Sequence, residues 1–148
     1  MDPRKVKNAA DARKIVSERE LDCVQVGVFD IDAILRGKYM SKAKLLSALD
    51  GGFDFCDVVL GWDSKDPLYD NVSYAGWHTG YPDAPVWVIP ESCREIPWEN
   101  GMLMFLGEFT DKAKEICSRG ILRKILKKTD KMGYRVFSGL EYEFLVFE

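Results

Sequence analysis

Residues 21–40, "LDCVQVGVFDIDAILRGKYM", decide the fold. Val24, Val26 and Val28 alternate with Gln25 and Gly27, which is the two-residue period of a strand with one buried face. The aspartates at 30 and 32 suit a turn, and "AILRGKYM" then returns as the partner strand of a hairpin. Directly beyond it, "SKAKLLSALDGG" predicts a short helix, with Ser41 placed to cap its first turn and Gly51 or Gly52 to end it. A small mixed sheet with this helix packed against it is an α+β arrangement.

Working outward, residues 8–20 predict a polar helix with a thin apolar stripe of Ala10, Ile15 and Val16. Residues 61–85, "GWDSKDPLYDNVSYAGWHTGYPDAP", show no period, yet two tryptophans and three tyrosines argue for an ordered loop that contributes to a site. "VWVIP" (86–90) and "GMLMFLGEF" (101–109) predict strands separated by "ESCREIPWEN". "SRGILRKILKKTDKMGY" (118–134) predicts a helix with Ile121, Leu122, Ile125 and Leu126 on one face and Gly133 as its stop. The close, "RVFSGLEYEFLVFE" (135–148), predicts a long strand. There Glu141 and Glu143 look the same way, about 7 Å apart, while Tyr142, Phe144 and Val146 fill the other face. Such a strand wants neighbours in a larger sheet, so the sequence reads as cut off inside a second domain. The expected divisions are a helix at 1–20, a sheet domain at 21–110 and the start of a truncated domain at 111–148.

Composition narrows the function classes. The chain has 148 residues, 47% hydrophobic and 30% charged, which is enough for one compact domain, or for a small domain plus the start of a second. A net charge of -3 gives no basic footprint, so nucleic acid is not an expected partner. No apolar run is long enough for a bilayer, and the first twenty residues lack the apolar core of a leader, so the expectation is a cytoplasmic protein without a membrane partner. Cys23, Cys56, Cys93 and Cys117 have no C-x-x-C spacing and read as reduced thiols. His78 is the single histidine, which excludes a two-histidine zinc motif within the chain.

The order "LRGK", an Asp-bearing aromatic loop, "GYPDAPVWVIPES", "REIPW", "ILRKILKKTDKMGY" and then "GLEYEFLVFE" resembles the start of a glutamine synthetase family protein. The resemblance implies a β-grasp-like N-terminal domain followed by the first helix and strand of the catalytic domain. It also implies an ATP-dependent glutamate-amine ligase, in which glutamate takes the γ-phosphate of ATP to give γ-glutamyl phosphate, and ammonia or another amine then displaces phosphate. Implied cofactors are Mg2+ or Mn2+ with ATP as co-substrate, and the full-length protein would be a homo-oligomer. Carried over residue by residue, Glu141 and Glu143 would each serve one divalent metal. Asp63 in "GWDSKD" matches an aspartate that, in the family, reaches the ammonium site of the neighbouring subunit, and Asp83 in "YPDAP" matches a second family aspartate, so the resemblance implies both as catalytic candidates. The family's D-G-S-S pattern is only partly kept at Asp63, which leaves room for acceptors larger than ammonia. Trp62, Trp77, Trp87 and Trp98 read as packing or contact residues, and Arg36 as a residue that pairs with a carboxylate or orders the hairpin.

Two other readings remain open at the level of sequence. The chain would be a non-catalytic β-grasp interaction module that docks onto full-length subunits, or a small metal-binding protein built on Glu141 and Glu143. The second needs at least two more oxygen ligands nearby. On the ligase reading, this polypeptide alone is expected to be inactive.

Overall fold

The computed structural model describes residues 1–147. Two local signals start it correctly. Asn8 accepts the N–H of Asp11 and opens α1 (Ala9–Glu18), whose buried stripe is Ala12, Ile15 and Val16. The sequence reading placed Ala10 in that stripe; Ala12 takes its place, three residues before Ile15 and four before Val16. β1 (Cys23–Phe29) then pairs antiparallel with β2 (Leu35–Ser41), and the expected turn lies at 30–34.

Ser41 accepts the N–H of Lys44 and opens α2 (Lys42–Gly51). Gly52 ends it at φ 74°, and a Cβ there would lie 2.6 Å from the Val86 carbonyl oxygen. Both constraints demand glycine. The chain then runs into β3 (Phe53–Cys56), a four-residue strand too short to show a period in the sequence. The irregular stretch to residue 82 is the expected loop, entered through a single 3-10 turn at Asp57–Leu60.

β4 (Asp83–Glu95) corrects the sequence reading at both ends: that reading gave Asp83–Pro85 to the loop, ended the strand at Pro90 and made "ESCRE" a connection. Its register against β5 (Leu103–Phe109) shifts between Ile89 and Arg94, so Pro90 sits in a bulge where its missing N–H does no harm. Ser92 repairs the ladder there: its hydroxyl accepts the N–H of Leu106 at 2.7 Å and donates to the Ile89 carbonyl.

The five strands form one mixed sheet in the order β2-β1-β5-β4-β3, with β1 and β5 parallel and every other pair antiparallel. This is the β-grasp-like α+β arrangement that the resemblance implies. The sheet curls until its two outer strands approach. Lys38 of β2 reaches the rings of Phe55 at 4.8 Å and Phe53 at 5.4 Å, and donates to the Asp54 carbonyl on β3. One face carries the core, with Val24, Val26, Val28, Val86, Leu103, Phe105 and Phe109 closed over by α1 and α2. Cys93 and Cys117 lie in this core as free thiols, and burial pushes Cys93 up to about 11.

After β5, a 3-10 turn at Asp111–Glu115 leads to α3 (Ser118–Lys131), and Gly133 at φ 81° follows its end as expected. Arg119 and Arg123 tie this helix to Glu108 of β5. Its apolar positions Ile121, Leu122, Ile125 and Leu126 are 40–58% exposed. The closing segment departs from expectation. Residues 134–147 form no strand, and Leu140, Tyr142, Phe144 and Val146 are 82–85% exposed. A strand is held by a hydrogen-bonded neighbour and a buried face, and no described residue offers either to this segment. Glu148, the end of the expected strand and domain, lies outside the described residues. No helix among the described residues is long and apolar enough to cross a membrane.

Candidate functional site

The hairpin turn builds the first half of the site. Asp30 ends the core-facing run of β1 and is fully buried. Its Oδ1 accepts the N–H groups of Asp32 at 3.0 Å and Ile34 at 2.8 Å, so the turn itself fixes the carboxylate. Its Oδ2 accepts Nε of Arg36 at 2.7 Å. Arg36 therefore does both things expected of it: it pairs with a carboxylate and it orders the hairpin.

The aromatic loop supplies the second half. The Arg36 guanidinium lies over the Trp62 ring at 5.0 Å, and one of its terminal nitrogens pairs with Asp66 at 2.7 Å. The other donates to the Asp63 carbonyl at 3.4 Å. Asp63 itself is half-buried, and its Oδ1 accepts the N–H of Lys65 at 2.7 Å in a tight side-chain turn. The Asp63 carboxylate enters no ion pair among the described residues. Asp30 and Asp66 thus both pair with one arginine, while Asp32 and Asp63 stand close enough for their charges to reach Tyr69. Tyr69 feels the excess: burial first, then the charges of Asp32, Asp63 and Asp30, push its hydroxyl above the ordinary tyrosine range. The Arg36 guanidinium is held above its usual range chiefly by its hydrogen bond to Asp30. Such a patch favours a cation over an anion.

Asp83 stands elsewhere, exposed at the start of β4 opposite Cys56. Beside it, at the first position of the 3-10 turn that follows β3, is a residue to which no sequence motif points. Asp57 donates its N–H to Pro82, is 3% exposed, and has no hydrogen-bond partner at Oδ1 among the described residues. Burial, and then the charge of Asp83, raises the Asp57 carboxyl above the usual carboxylate range. The folded state therefore penalises its ionised form, and the stability it contributes below its unfolded-state value is lost as pH rises through the folded one. Asp57→Asn should stabilise the protein by about 1 kcal/mol at pH 8 and lose that advantage near pH 3, as read by urea denaturation at the two pH values. An equal effect at both would show that ionisation is not the cost.

Glu141 and Glu143 lie on the exposed closing segment and make no hydrogen bond or ion pair to other described residues. No three of the described His, Cys, Asp and Glu side chains come together as metal ligands. The chain's own residues, as described, do not fit a complete metal centre. Nor does any hydrogen bond or ion pair among the described residues join Asp63, Asp83 and the Glu141–Glu143 pair. His78 is exposed, its Nε2 at 3.2 Å from the Ser73 carbonyl, and Trp77 and Trp98 are more than 80% exposed.

No family model matches the chain. Among curated proteins it is 42% identical over 123 residues to the type-1 glutamine synthetase 2 of Dictyostelium discoideum, across 81% of this chain and 24% of that protein. The chain belongs to the glutamine synthetase family. It is also 29% identical over 145 residues to a glutamate-isopropylamine ligase of a Pseudomonas species, covering 93% of this chain and 31% of that protein. A γ-glutamylethanolamide synthetase of Streptomyces coelicolor is 28% identical over 137 residues, covering 90% of this chain and 30% of that protein. Both glutamine synthetases and glutamate-amine ligases of the family are therefore represented. The chain spans about a quarter to a third of the length of these relatives. The fold agrees with solved structures of the family. The glutamine synthetase of Plasmodium falciparum superposes with a TM-score of 0.62 at 13% identity over 90% of this chain and 24% of that one. The protein GmaS, in its complex with ADP, superposes at 0.59 and 15% identity over 82% of this chain and 26% of that one.

Proposed function

We propose that the chain is the N-terminal portion of an ATP-dependent glutamate-amine ligase that forms γ-glutamyl phosphate and passes the glutamyl group to ammonia or another amine. The observation that carries this reading is the similarity across 81–93% of the chain to ligases of this one family. The acidic patch around Asp63 supports the amine side of it. A surplus of carboxylates over one guanidinium attracts an ammonium group, and a carboxylate beside it takes the proton that must leave before nitrogen can attack. Asp63 and, from its own place in the sheet, Asp83 are the residues we assign to that side. The relatives named for isopropylamine and ethanolamide fit an acceptor larger than ammonia.

Glu141 and Glu143 are assigned to Mg2+ or Mn2+ in the full-length protein, where further oxygen ligands complete the set. When bound, such ions neutralise charge on phosphate oxygens. The exposure of this segment and of the α3 apolar face suits a surface that the rest of a longer ligase covers. Partners on this reading are glutamate, ATP, the amine and further copies of the full-length protein, in the cytoplasm.

Full-length protein carrying this chain should release phosphate from ATP only with both glutamate and an amine present. Replacing Glu141 and Glu143 together by Gln should lower kcat/KM roughly a hundredfold or more. The 148-residue chain alone should show no turnover. Amine-independent phosphate release, an unchanged double variant, or full activity in the short chain would each refute the assignment.

A further inference from the structure

Asp63 has an odd support. The Arg36 guanidinium, a cation, bypasses its carboxylate and grips what surrounds it: the Asp63 carbonyl at 3.4 Å, the Asp66 carboxylate at 2.7 Å and the face of Trp62 at 5.0 Å. That cation is itself immobilised from the other side. Asp30 is fully buried, has both oxygens engaged, and holds Nε of Arg36 at 2.7 Å. The loop is therefore tied to the β1–β2 hairpin through the planar fork of Arg36, 27 residues before Asp63 in sequence. Three short bonds within the loop carry the reference onward: Asp63 N–H to Pro67, Asp66 N–H to Asp63, and Lys65 N–H to the Asp63 carboxylate. Asp66 stands at φ 72°, a left-handed conformation that an aspartate adopts at some cost, and the ion pair to Arg36 offsets it.

We infer that Arg36 is a positioning residue for the amine-binding step: clamped by Asp30, it holds the 62–66 loop so that the Asp63 carboxylate keeps its charge unpaired and its place fixed. The inference rests on the acceptor-side reading of Asp63. A lysine at 36 keeps the charge but cannot make the fork to Asp30, Asp63 and Asp66 together. Arg36 touches no reacting atom on this account, so its loss acts on the acceptor and not on ATP or glutamate.

Two measurements separate the clamp from the reading it rests on. Hydrogen exchange on the 148-residue chain should show the Asp63, Lys65 and Asp66 amides exchanging about tenfold faster in R36K and in D66N, with β1 and β5 amides unchanged. D66N removes only an exposed partner and leaves the Asp30 pair intact, so it keeps the test sound if R36K folds poorly. In the full-length protein, R36K and D66N should raise KM for the amine about tenfold while KM for ATP and for glutamate stays within about twofold. D63N should raise the amine KM at least as far. Unchanged loop exchange in both variants would overturn the clamp. Faster exchange with an unchanged amine KM in R36K and D66N, while D63N raises it, would overturn the positioning role alone. An unchanged amine KM in D63N would overturn the acceptor role of Asp63, and the positioning role with it.

Discussion

Phe105→Ala should cost about 4 kcal/mol, the largest single loss among the core positions. Phe105 is fully buried on β5, the central strand, with β1 parallel on one side and β4 antiparallel on the other. Its ring enters the layer between the sheet and the two helices that cover it, where Val26, its partner across the parallel pair, is equally buried. Strands on both sides are hydrogen-bonded in place and cannot collapse into the space an alanine leaves. Domains of this size are stable by only about 5–15 kcal/mol, so the variant should lose a large share of its margin. Urea unfolding should show a lower midpoint with the slope unchanged. Leu122→Ala is the natural contrast: Leu122 is 58% exposed on α3, and its loss should shift stability by less than about 0.5 kcal/mol in this chain. Equal losses at the two sites would mean that α3 is packed and the sheet core is not where it stands.

Such contrasts follow how the sequence encodes each part. The hairpin and α2 were legible because their signals are local: alternating valines, a serine cap, a glycine stop. α1 and α3 were legible as helices for the same reason, although the α1 stripe was misplaced onto Ala10. β3 was not, since Phe53–Cys56 is defined by its partner Asp83–Val86 and not by its own pattern. The continuation of β4 past Pro90 was hidden for a related reason. Its ladder survives through the Ser92 hydroxyl, a side chain no backbone pattern anticipates. The 135–147 segment shows the converse, strand propensity without a strand, because pairing partners decide the outcome. At the candidate site, Asp63 and Asp83 came from motif resemblance. Asp30 reads from sequence as a turn former, and no local pattern points to Asp66 or Asp57. What makes them matter is contact between residues far apart in the chain, such as Arg36 with Asp66, or burial without a partner, as at Asp57.

Asp30→Ala should cost about 3 kcal/mol, a loss out of proportion to the few atoms removed. Three donors lose their acceptor at once: the N–H groups of Asp32 and Ile34 in the turn, and Nε of Arg36. The turn amides have no other described acceptor. The guanidinium, 20% exposed, keeps Asp66 at its outer end but is left with an unpaired inner edge. Asp30→Asn divides these contributions. It keeps an oxygen for the turn while placing an amide N–H against Nε–H, so it should cost about 2 kcal/mol, and the remainder reports the turn bonds. Adding Arg36→Met to Asp30→Ala should then recover part of the loss, because an apolar pair of similar bulk carries no unpaired charge. If the double variant is instead less stable than Asp30→Ala alone, Arg36 stabilises mainly through Trp62 and Asp66. The hairpin would then be anchored by the loop, the reverse of the direction the buried carboxylate implies.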